Sequence, residues 1–361
     1  MLTFALAALL SAPSARPAPV PPVRGIYLNA WAFGTRKFHR LVALADSTEI
    51  NAFVIDVKDD TGFLTYRSTV PTAIQVGANQ ALRAPDTAAR LAILKRKGIR
   101  PIARIVVAKD PLLAAKKPEW SIRTGKGGPW LDRKGTRWVD AFNDSVWVYA
   151  AELAAEAVKM GFVEIQYDYV RFPDEGKVRM ATAVFPARKG TESSRTGVSR
   201  NLQLLATRTR ALGVPFTVDV FGLTTTAEDD MGIGQFWEDM VVVSDVVLPM
   251  VYPSHYGRGI YGVARPNSDP YTMVKRALED GLRRSKALAP RKTAEIRPYL
   301  QAFTLGAPRY SPQHVRDQIR AAADVGIESW VLWNPRSVYA RGYFRADSVA
   351  VRPAAGADLR Q

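Results

Sequence analysis

Short apolar runs alternate with longer amphipathic stretches along most of the chain, from Arg24 onward. The apolar runs are rich in β-branched and aromatic residues, and the stretches between them have the polarity of surface helices. This pattern predicts repeated βα units around a parallel sheet. The runs predict eight strands, at residues 25–29, 52–58, 99–107, 163–172, 215–221, 245–252, 299–304 and 328–334. The clearest helices are predicted at residues 87–97, 145–160, 200–212, 271–284 and 312–325.

Helix start and stop signals support two of these helices. Asn143 or Asp144 can cap the helix at 145–160, and Gly161 follows its last residue. Ser311, which is followed directly by proline, can cap the last predicted helix in the same way. The boundaries of both helices are therefore written in the sequence.

Eight strands with helices between them indicate a closed (β/α)8 barrel, the TIM barrel fold. The alternative is an open doubly wound sheet, which usually carries a glycine-rich phosphate loop after its first strand. The chain has no such loop and no dinucleotide fingerprint. Long irregular segments follow strands 3, 4 and 6, at 109–142, 174–199 and 255–269. In a barrel these loops lie at the C-terminal face, where active sites are built.

The first long segment carries three tryptophans, Trp120, Trp130 and Trp138, among glycines and charged residues. Tryptophan rings suit stacking against sugars, but a long loop also needs large side chains to hold it in place. Both interpretations stay open from the sequence.

The composition argues against some kinds of metal site. The chain of 361 residues is 47% hydrophobic, which is enough for one large core, and it has no cysteine and only three histidines. A zinc site built from Cys and His is therefore not expected, and we expect neither a metal nor a cofactor. The acidic pair Asp59-Asp60 has no calcium-loop spacing and is interpreted as a solvated turn.

The formal net charge of +16 favours anionic partners, of which nucleic acid is the obvious one. The arginines and lysines, however, are spread over the whole chain, and no nucleic-acid motif accompanies them. We therefore expect a generally basic surface that meets an acidic polymer or a cell envelope, without dedicated nucleic-acid binding.

The first residues resemble an export signal. Residues 1–10 form an apolar run too short to span a bilayer, and small residues suited to signal peptidase follow at 11–15. No positive charge precedes the run, so a misplaced start or a plain apolar tail stays open. We expect an exported protein, periplasmic or extracellular, with no transmembrane span in the mature chain. The predicted organisation is a signal-like segment and Pro-rich linker at 1–23, a barrel domain at 24–340 and a C-terminal tail at 341–361.

Three predicted strands carry an aspartate near their C-terminal ends, namely Asp56, Asp168 and Asp219. Such ends meet at the mouth of a barrel, so we expect the three carboxyls to face one pocket. Cleaving a glycosidic bond requires two carboxyls, one to protonate the leaving oxygen and one to attack or to activate water. Asp168 is assigned as nucleophile or base, and Asp219 is preferred over Asp56 as its partner because the two strands are neighbours. The alternative for each aspartate is a helix cap or a fixed ion pair.

Charged and aromatic neighbours complete the predicted site. Arg171 or Lys58 is expected to keep one carboxyl ionised, while repulsion and burial raise the pKa of another. Tyr252 and His255 suit hydrogen bonds to sugar hydroxyls, and Trp333 suits the floor under a sugar ring. The complete predicted set of substrate contacts is Asp56, Lys58, Tyr27, Tyr169, Arg171, Tyr252, His255, Gln301, Trp333 and Asn334.

Four segments carry a family resemblance: RGIY at 24–27, FVIDVKD at 53–59, QYDYVRFP at 166–173 and PMVYPSHY at 249–256. In combination they resemble the putative glycosyl hydrolase domain family, a group of bacterial proteins distantly similar to α-amylase-type barrels. The resemblance implies a TIM barrel with a carbohydrate-directed site. It also implies that Asp168 corresponds to the nucleophile at the end of the fourth strand. The relatives often place a Glu acid on the fifth strand, where this sequence has Asp219.

The sequence thus predicts an O-glycosidase that acts on an oligo- or polysaccharide. The candidate substrates are anionic glycans and glycans of the cell envelope. The main alternative is an envelope barrel that binds a glycan without cleaving it, and that leaves no second carboxyl within reach of Asp168. A metal-dependent hydrolase is a third alternative, which requires three or more converging oxygen or histidine ligands.

Overall fold

Eight parallel strands close into a barrel in which each strand pairs with its neighbours along the chain. A computed structural model describes residues 21–345. The last strand pairs in parallel with the first, Trp330 opposite Arg24, and this pairing closes the ring. The predicted (β/α)8 barrel is therefore confirmed. The barrel strands are β1 Arg24–Leu28, β2 Ala52–Lys58, β3 Arg100–Val106, β4 Glu164–Asp168, β5 Phe216–Phe221, β6 Val246–Met250, β7 Tyr299–Gln301 and β8 Trp330–Trp333.

The barrel has one sparse seam, between β6 and β7. The start of β6 pairs with a two-residue strand, Glu295–Ile296, that precedes β7. Strand β7 itself pairs with β6 at one position, Tyr299 opposite Met250. By contrast, β2 pairs with β3 from Ala52 to Lys58, with one register shift between Asp56 and Lys58.

Helices fill the connections between strands. They are α1 Ala30–Gly34, α2 Lys37–Asp46, α3 Pro71–Val76, α4 Thr87–Arg96, α5 Pro111–Lys116, α6 Asp144–Met160, α7 Lys177–Met180, α8 Ser194–Arg210, α9 Trp237–Val243, α10 Pro270–Lys286 and α11 Pro312–Asp324. None of the helices within residues 21–345 is both long and apolar enough to cross a membrane.

The predicted helix caps are present. The Asn143 side chain accepts a hydrogen bond from the Ser145 amide, and Gly161 ends α6 in the left-handed conformation at φ 114°. Ser311 forms a capping box at the start of α11. Helix α8 begins earlier than predicted because the Ser193 side chain caps it by accepting from the Thr196 amide. That cap lies in a polar stretch without the apolar spacing on which the prediction of this helix rested.

Apolar side chains pack in two layers, one inside the barrel and one between barrel and helices. Alternation along each strand sends every second residue inward. The interior cluster contains Val54, Ile102, Leu248, Tyr299 and Val331, while the larger outer cluster joins the strands to the helices. Polar residues at inward positions therefore stand out.

The three long loops follow β3, β4 and β6 at the C-terminal face, as predicted. A two-residue strand of the first loop, Arg123–Thr124, pairs antiparallel with Ala183–Val184 of the second. Trp130 and Trp138 are buried within this paired layer, and the indole of Trp138 donates to Asp132 at 3.0 Å. These two rings therefore hold the loops together.

The C-terminal end of the described chain packs on the barrel. Phe344 stacks on Trp330 with ring centroids 6.3 Å apart, and Arg341 Nη1 donates to the Ser47 carbonyl at 2.8 Å. The folded domain thus continues past the predicted boundary at residue 340. The predicted export signal and most of the predicted tail lie outside the described residues.

Candidate active site

Arg104 lies at the centre of a carboxylate cluster inside the barrel mouth. Its Nη1 donates to Asp56 Oδ1 at 2.6 Å, and its Nη2 donates to Asp168 Oδ2 at 2.5 Å. Its Nε is 3.1 Å from Asp168 Oδ2 and 3.8 Å from Asp219 Oδ2. All four residues are buried. One guanidinium therefore joins the three aspartates singled out in the sequence, and its planar fork fixes their relative positions.

Strand register explains why these side chains meet. On β3, Arg104 is level with Asp56 on β2 and with Gln166 on β4. Asp168 lies two residues beyond Gln166, so it points to the same interior face one step nearer the mouth. Asp219 projects from the next strand, β5. The common design of the three apolar runs thus produces one shared site.

An aromatic layer packs against the guanidinium. The rings of Tyr27 and Trp333 stack with centroids 3.8 Å apart, and the Arg104 guanidinium carbon lies 5.0 Å from the Trp333 centroid. The Tyr27 hydroxyl donates to Asp56 Oδ2 at 2.5 Å. Burial raises the pKa of Asp56 to about 6, although Arg104 and Tyr27 both favour its charged form.

Asp219 is the most deeply enclosed of the three carboxyls. Gln166 Nε2 donates to its Oδ2 at 2.9 Å and also to the Tyr299 hydroxyl at 2.7 Å. Its Oδ1 has no hydrogen-bond partner among the described residues. Burial raises the pKa of Asp219 well above the usual range, and the charge of Asp168 raises it further. The site therefore favours a protonated Asp219 beside the carboxyl of Asp168 that Arg104 engages.

A cleft of about 640 Å³ opens above the cluster. Asp168 and Arg104 form part of its floor, and loops after β4, β5 and β6 form its walls. The remaining lining residues are Tyr169, Arg171, Asp174, Phe221, Gly222, Leu223, Met231, Ile233, Met250, Tyr252, His255, Tyr256 and Trp333. Its volume is that of a typical small-molecule site.

The predicted strand 163–172 ends early, at Asp168, because the next residue leaves the extended conformation. Tyr169 has φ 54°, the left-handed region that a bulky residue rarely adopts. Its amide donates to Asp168 Oδ1 at 2.5 Å. Backbone strain of this kind concentrates at functional sites, and here it turns both Tyr169 and Arg171 toward the cleft.

Of the other predicted substrate contacts, two line the cleft and two bind the backbone of neighbouring loops. Tyr252 and His255 line the cleft, and the Tyr252 hydroxyl has no hydrogen-bond partner among residues 21–345. Gln301 instead accepts a hydrogen bond from the Ser254 amide at 3.0 Å and donates one to the Phe303 carbonyl at 3.0 Å. Asn334 donates to the Ala302 carbonyl at 2.6 Å. Gln301 and Asn334 therefore tie loops together and do not line the cleft.

Lys58 lies away from the site, which corrects its predicted role. The register between β2 and β3 shifts between Asp56 and Lys58, so a bulge interrupts the alternation that would turn Lys58 inward. Its Nζ instead forms a buried ion pair with Asp110 at 2.6 Å and lies 5.1 Å from the Tyr149 ring centroid. The cation that holds the carboxylates is Arg104, and Arg171 forms no ion pair with any described carboxylate.

Arg104, Gln166 and Tyr299 are the site residues that sequence reasoning missed. A signal was present for Arg104, since it is a lone charge inside the apolar run of β3, IARIVV at residues 102–107. Gln166 offers a weaker signal, as an uncharged polar residue between Ile165 and Tyr167 in β4. Tyr299 carried none, because a tyrosine at the start of a strand is common in cores.

Two further observations bear on the chemistry. A groove of about 810 Å³ lies between the loops after β7 and β8, but its described lining contains no carboxylate. Residues 21–345 contain no group of three or more His, Asp or Glu side chains arranged to hold a metal ion.

A family model described as "Putative glycosyl hydrolase domain" matches residues 25–339. The chain belongs to this family. Among curated protein sequences, none matches it. A hypothetical protein from Ruminiclostridium thermocellum shares 33% identity over 58% of this chain and 98% of its own, with a TM-score of 0.48.

Solved glycoside hydrolases share the fold at low identity. The PgaB (BpsB) glycoside hydrolase domain from Bordetella bronchiseptica is 15% identical over 88% of this chain and 95% of its own, with a TM-score of 0.59. The α-galactosidase TtGalA from Thermus thermophilus, solved with p-nitrophenyl α-D-galactopyranoside, is 17% identical over 89% of this chain and 60% of its own, with a TM-score of 0.51. These likenesses support the barrel, and a glycoside hydrolase-like function is in keeping with the family.

Proposed function

We propose that this protein is a glycoside hydrolase that cleaves an oligo- or polysaccharide at the barrel mouth through Asp168 and Asp219. The observation that carries the proposal is the unequal pair of carboxyls under the cleft. Asp168 is ion-paired with Arg104, whereas burial and the charge of Asp168 favour the protonated form of Asp219. Glycosidases require one charged and one protonated carboxyl.

The two carboxyls have different tasks. Asp168 lines the cleft and attacks the anomeric carbon or takes a proton from water, while Asp219 holds the proton that the leaving oxygen needs. Tyr252, His255 and Trp333 surround the sugar from the cleft walls. Arg104 fixes the position of the Asp168 carboxylate through an ion pair.

Replacing Asp168 tests the proposal directly. We expect Asp168→Asn to lower turnover by at least about a thousandfold, because an amide neither attacks nor accepts a proton. Folding is retained, since the amide oxygen still accepts a hydrogen bond from Arg104. Turnover is measured as released reducing ends on a panel of bacterial envelope and capsular glycans.

The acid is tested in parallel with Asp219→Asn and Asp174→Asn, since Asp174 is the other carboxyl on the cleft wall. Loss of turnover in Asp174→Asn but not in Asp219→Asn would move the acid role to Asp174. The matched control is Asp229→Asn, at an exposed position outside the cleft, which keeps turnover. Undiminished turnover in Asp168→Asn would sink the proposal.

The second candidate is a barrel that binds a glycan without cleaving it. The position of Asp219 favours it, because Asp168 lines the cleft and Asp219 does not. Asp219 is also fully buried. Tight binding of a glycan by the wild-type protein, with no product released on prolonged incubation, would identify this function.

We also propose that the protein is exported to the periplasm or the extracellular space. The apolar run at 1–10 and the small residues at 11–15 support the proposal. Fractionation of the native host, with mass spectrometry of the mature N-terminus, tests it. Intact residues 1–15 on a cytoplasmic protein would contradict it.

A further inference from the structure

The Arg171 guanidinium is a cation on the cleft wall that lacks a carboxylate partner. Its side chain is buried at 7% exposure, and its one hydrogen bond runs from Nη1 to the Phe172 carbonyl at 2.9 Å. No ion pair links Arg171 to a carboxylate within residues 21–345. Burying a charge without a counter-charge is costly, so this arrangement needs a reason.

Three aromatic rings hold the guanidinium in place. Its central carbon lies 4.5 Å from the ring centroid of Phe221, 4.7 Å from that of Tyr169 and 5.3 Å from that of Trp138. These contacts immobilise the planar group and remove much of its water, but they leave donor groups unused. Burial lowers the pKa of Arg171, while Tyr169, Asp168 and Asp174 act in the opposite direction without compensating fully.

The neighbouring cations are already paired. Arg104 is engaged by Asp56 and Asp168. Lys109, next to the Tyr169 ring, pairs with Asp60 at 2.7 Å. Burial lowers the pKa of His255, which favours its neutral form.

The carboxylates at the barrel mouth leave the donors of Arg171 unused. Arg104 engages the carboxylates of Asp56 and Asp168. Asp174 lines the cleft and favours the charged form of Arg171, but no ion pair joins the two among the described residues. Arg171 therefore retains donors for a group on the bound sugar.

We propose that Arg171 recognises a negatively charged substituent, a carboxylate or a sulfate ester, on the sugar bound beside Asp168. The substrate class is then an anionic glycan. A planar guanidinium presents two parallel donors to such a group, which lysine does not. The assignment rests on the proposed function for cleavage, but the recognition itself is a binding property and is measured without turnover.

The experiment compares charged sugars with neutral counterparts of the same skeleton. Isothermal titration calorimetry is carried out with oligosaccharides of galacturonic and glucuronic acid, with their methyl esters, and with a sulfated neutral oligosaccharide beside its unsulfated form. At least one acidic probe binds the wild-type protein about tenfold or more tightly than its neutral counterpart. Preference for uronate or for sulfate identifies the substituent.

Two variants separate recognition from general attraction to a basic protein. Arg171→Met removes the charge and abolishes the preference for the acidic probe, while affinity for the neutral probe changes by less than about threefold. Arg171→Lys restores only part of the preference, because an ammonium lacks the fork. The matched control is Arg336→Met, which removes one exposed arginine from the loop after β8 and leaves the preference intact.

Four results would overturn the inference. Equal affinity for acidic and neutral probes would show that Arg171 recognises no anion. A preference that survives in Arg171→Met, or that falls equally in Arg336→Met, would assign it to the net charge. Arg171-dependent binding without turnover would refute the proposed hydrolase and leave this inference intact. Asp168-dependent turnover of neutral glycans alone would support the hydrolase and refute this inference.

Discussion

Asp219 is the residue whose ionisation the fold opposes most directly. Its carboxyl is buried beside the charge of Asp168, and both effects raise its pKa. The unfolded chain releases this proton above pH 3.8, whereas the folded protein keeps it to a higher pH. The free energy of unfolding contributed by this group therefore falls as pH rises from 3.8 towards the raised pKa of the folded protein. The group stabilises the protein only where the unfolded carboxyl is also protonated.

Asp219→Asn should therefore become progressively more stable than the wild type as pH rises from about 4. The amide mimics the protonated carboxyl, since it accepts from Gln166 and carries no charge. The gap in unfolding free energy grows by up to about 1.4 kcal/mol per pH unit. Urea denaturation at several pH values measures it, with Asp46→Asn on the surface as control. A gap independent of pH would contradict the assignment.

At the scale of residues, the sequence predicted the acidic members of the site but not the cation that joins them. Asp168 and Asp219 stand at strand ends, where inward alternation is regular enough to extrapolate. The sequence predicts Arg171 or Lys58 as the cation that keeps one carboxyl ionised. The cation that engages Asp168 is instead Arg104 on β3, because register across strands, and not sequence distance, decides which side chains meet. That register is fixed by packing around the whole ring.

At the scale of elements, the bulge in β2 has the largest effect. It sends Lys58 outward to Asp110, whose other oxygen accepts the Leu113 amide at 2.8 Å and so caps α5. One buried ion pair thus joins a barrel strand to the helix of the first long loop. A single inserted residue of this kind leaves no mark in an apolar run such as AFVIDVK.

Lys58→Met should cost about 3 to 5 kcal/mol of stability, because Asp110 is then left buried and unpaired. The double variant Lys58→Met with Asp110→Asn recovers part of the loss, since the amide still caps α5 without a charge. Lys189→Met, which removes an exposed partner of Asp144, costs less than about 1 kcal/mol. Denaturation curves give all three values.

The same variants test the correction to Lys58. Turnover per folded molecule stays at the wild-type value in Lys58→Met, since Lys58 does not line the cleft. A large loss of turnover in a fully folded Lys58→Met protein would return this lysine to the site.

At the scale of the whole molecule, the barrel was predictable because its pattern repeats eight times and local errors average out. Strand ends shifted where loops imposed other conformations, as at Tyr169, and α8 began at a cap that the apolar spacing did not reveal. The net charge of +16 is a property of the same scale. It speeds the approach of an anionic polymer without selecting it, so selection falls to residues inside the cleft.

The seam between β6 and β7 determines how fast backbone amides in this part of the barrel exchange with solvent. Strand β7 pairs with β6 at one position, so opening between these two strands is cheaper than opening the long ladder between β2 and β3. Deuterium should therefore enter the amides of Tyr299–Gln301 at least about tenfold faster than those of Ala52–Lys58. Mass spectrometry of exchanged peptides resolves the two segments, and equal rates would contradict the expectation.

The seam also borders the cleft. Met250, the residue of β6 that pairs with Tyr299 of β7, lines the cleft. A sugar that spans the cleft would contact Met250 on β6 and Trp333 on β8, the strands on either side of β7. It would slow deuterium uptake there, while the ladder on the far side of the barrel kept its own rate. Exchange at Tyr299 would then report occupancy of the cleft for any glycan, cleaved or not.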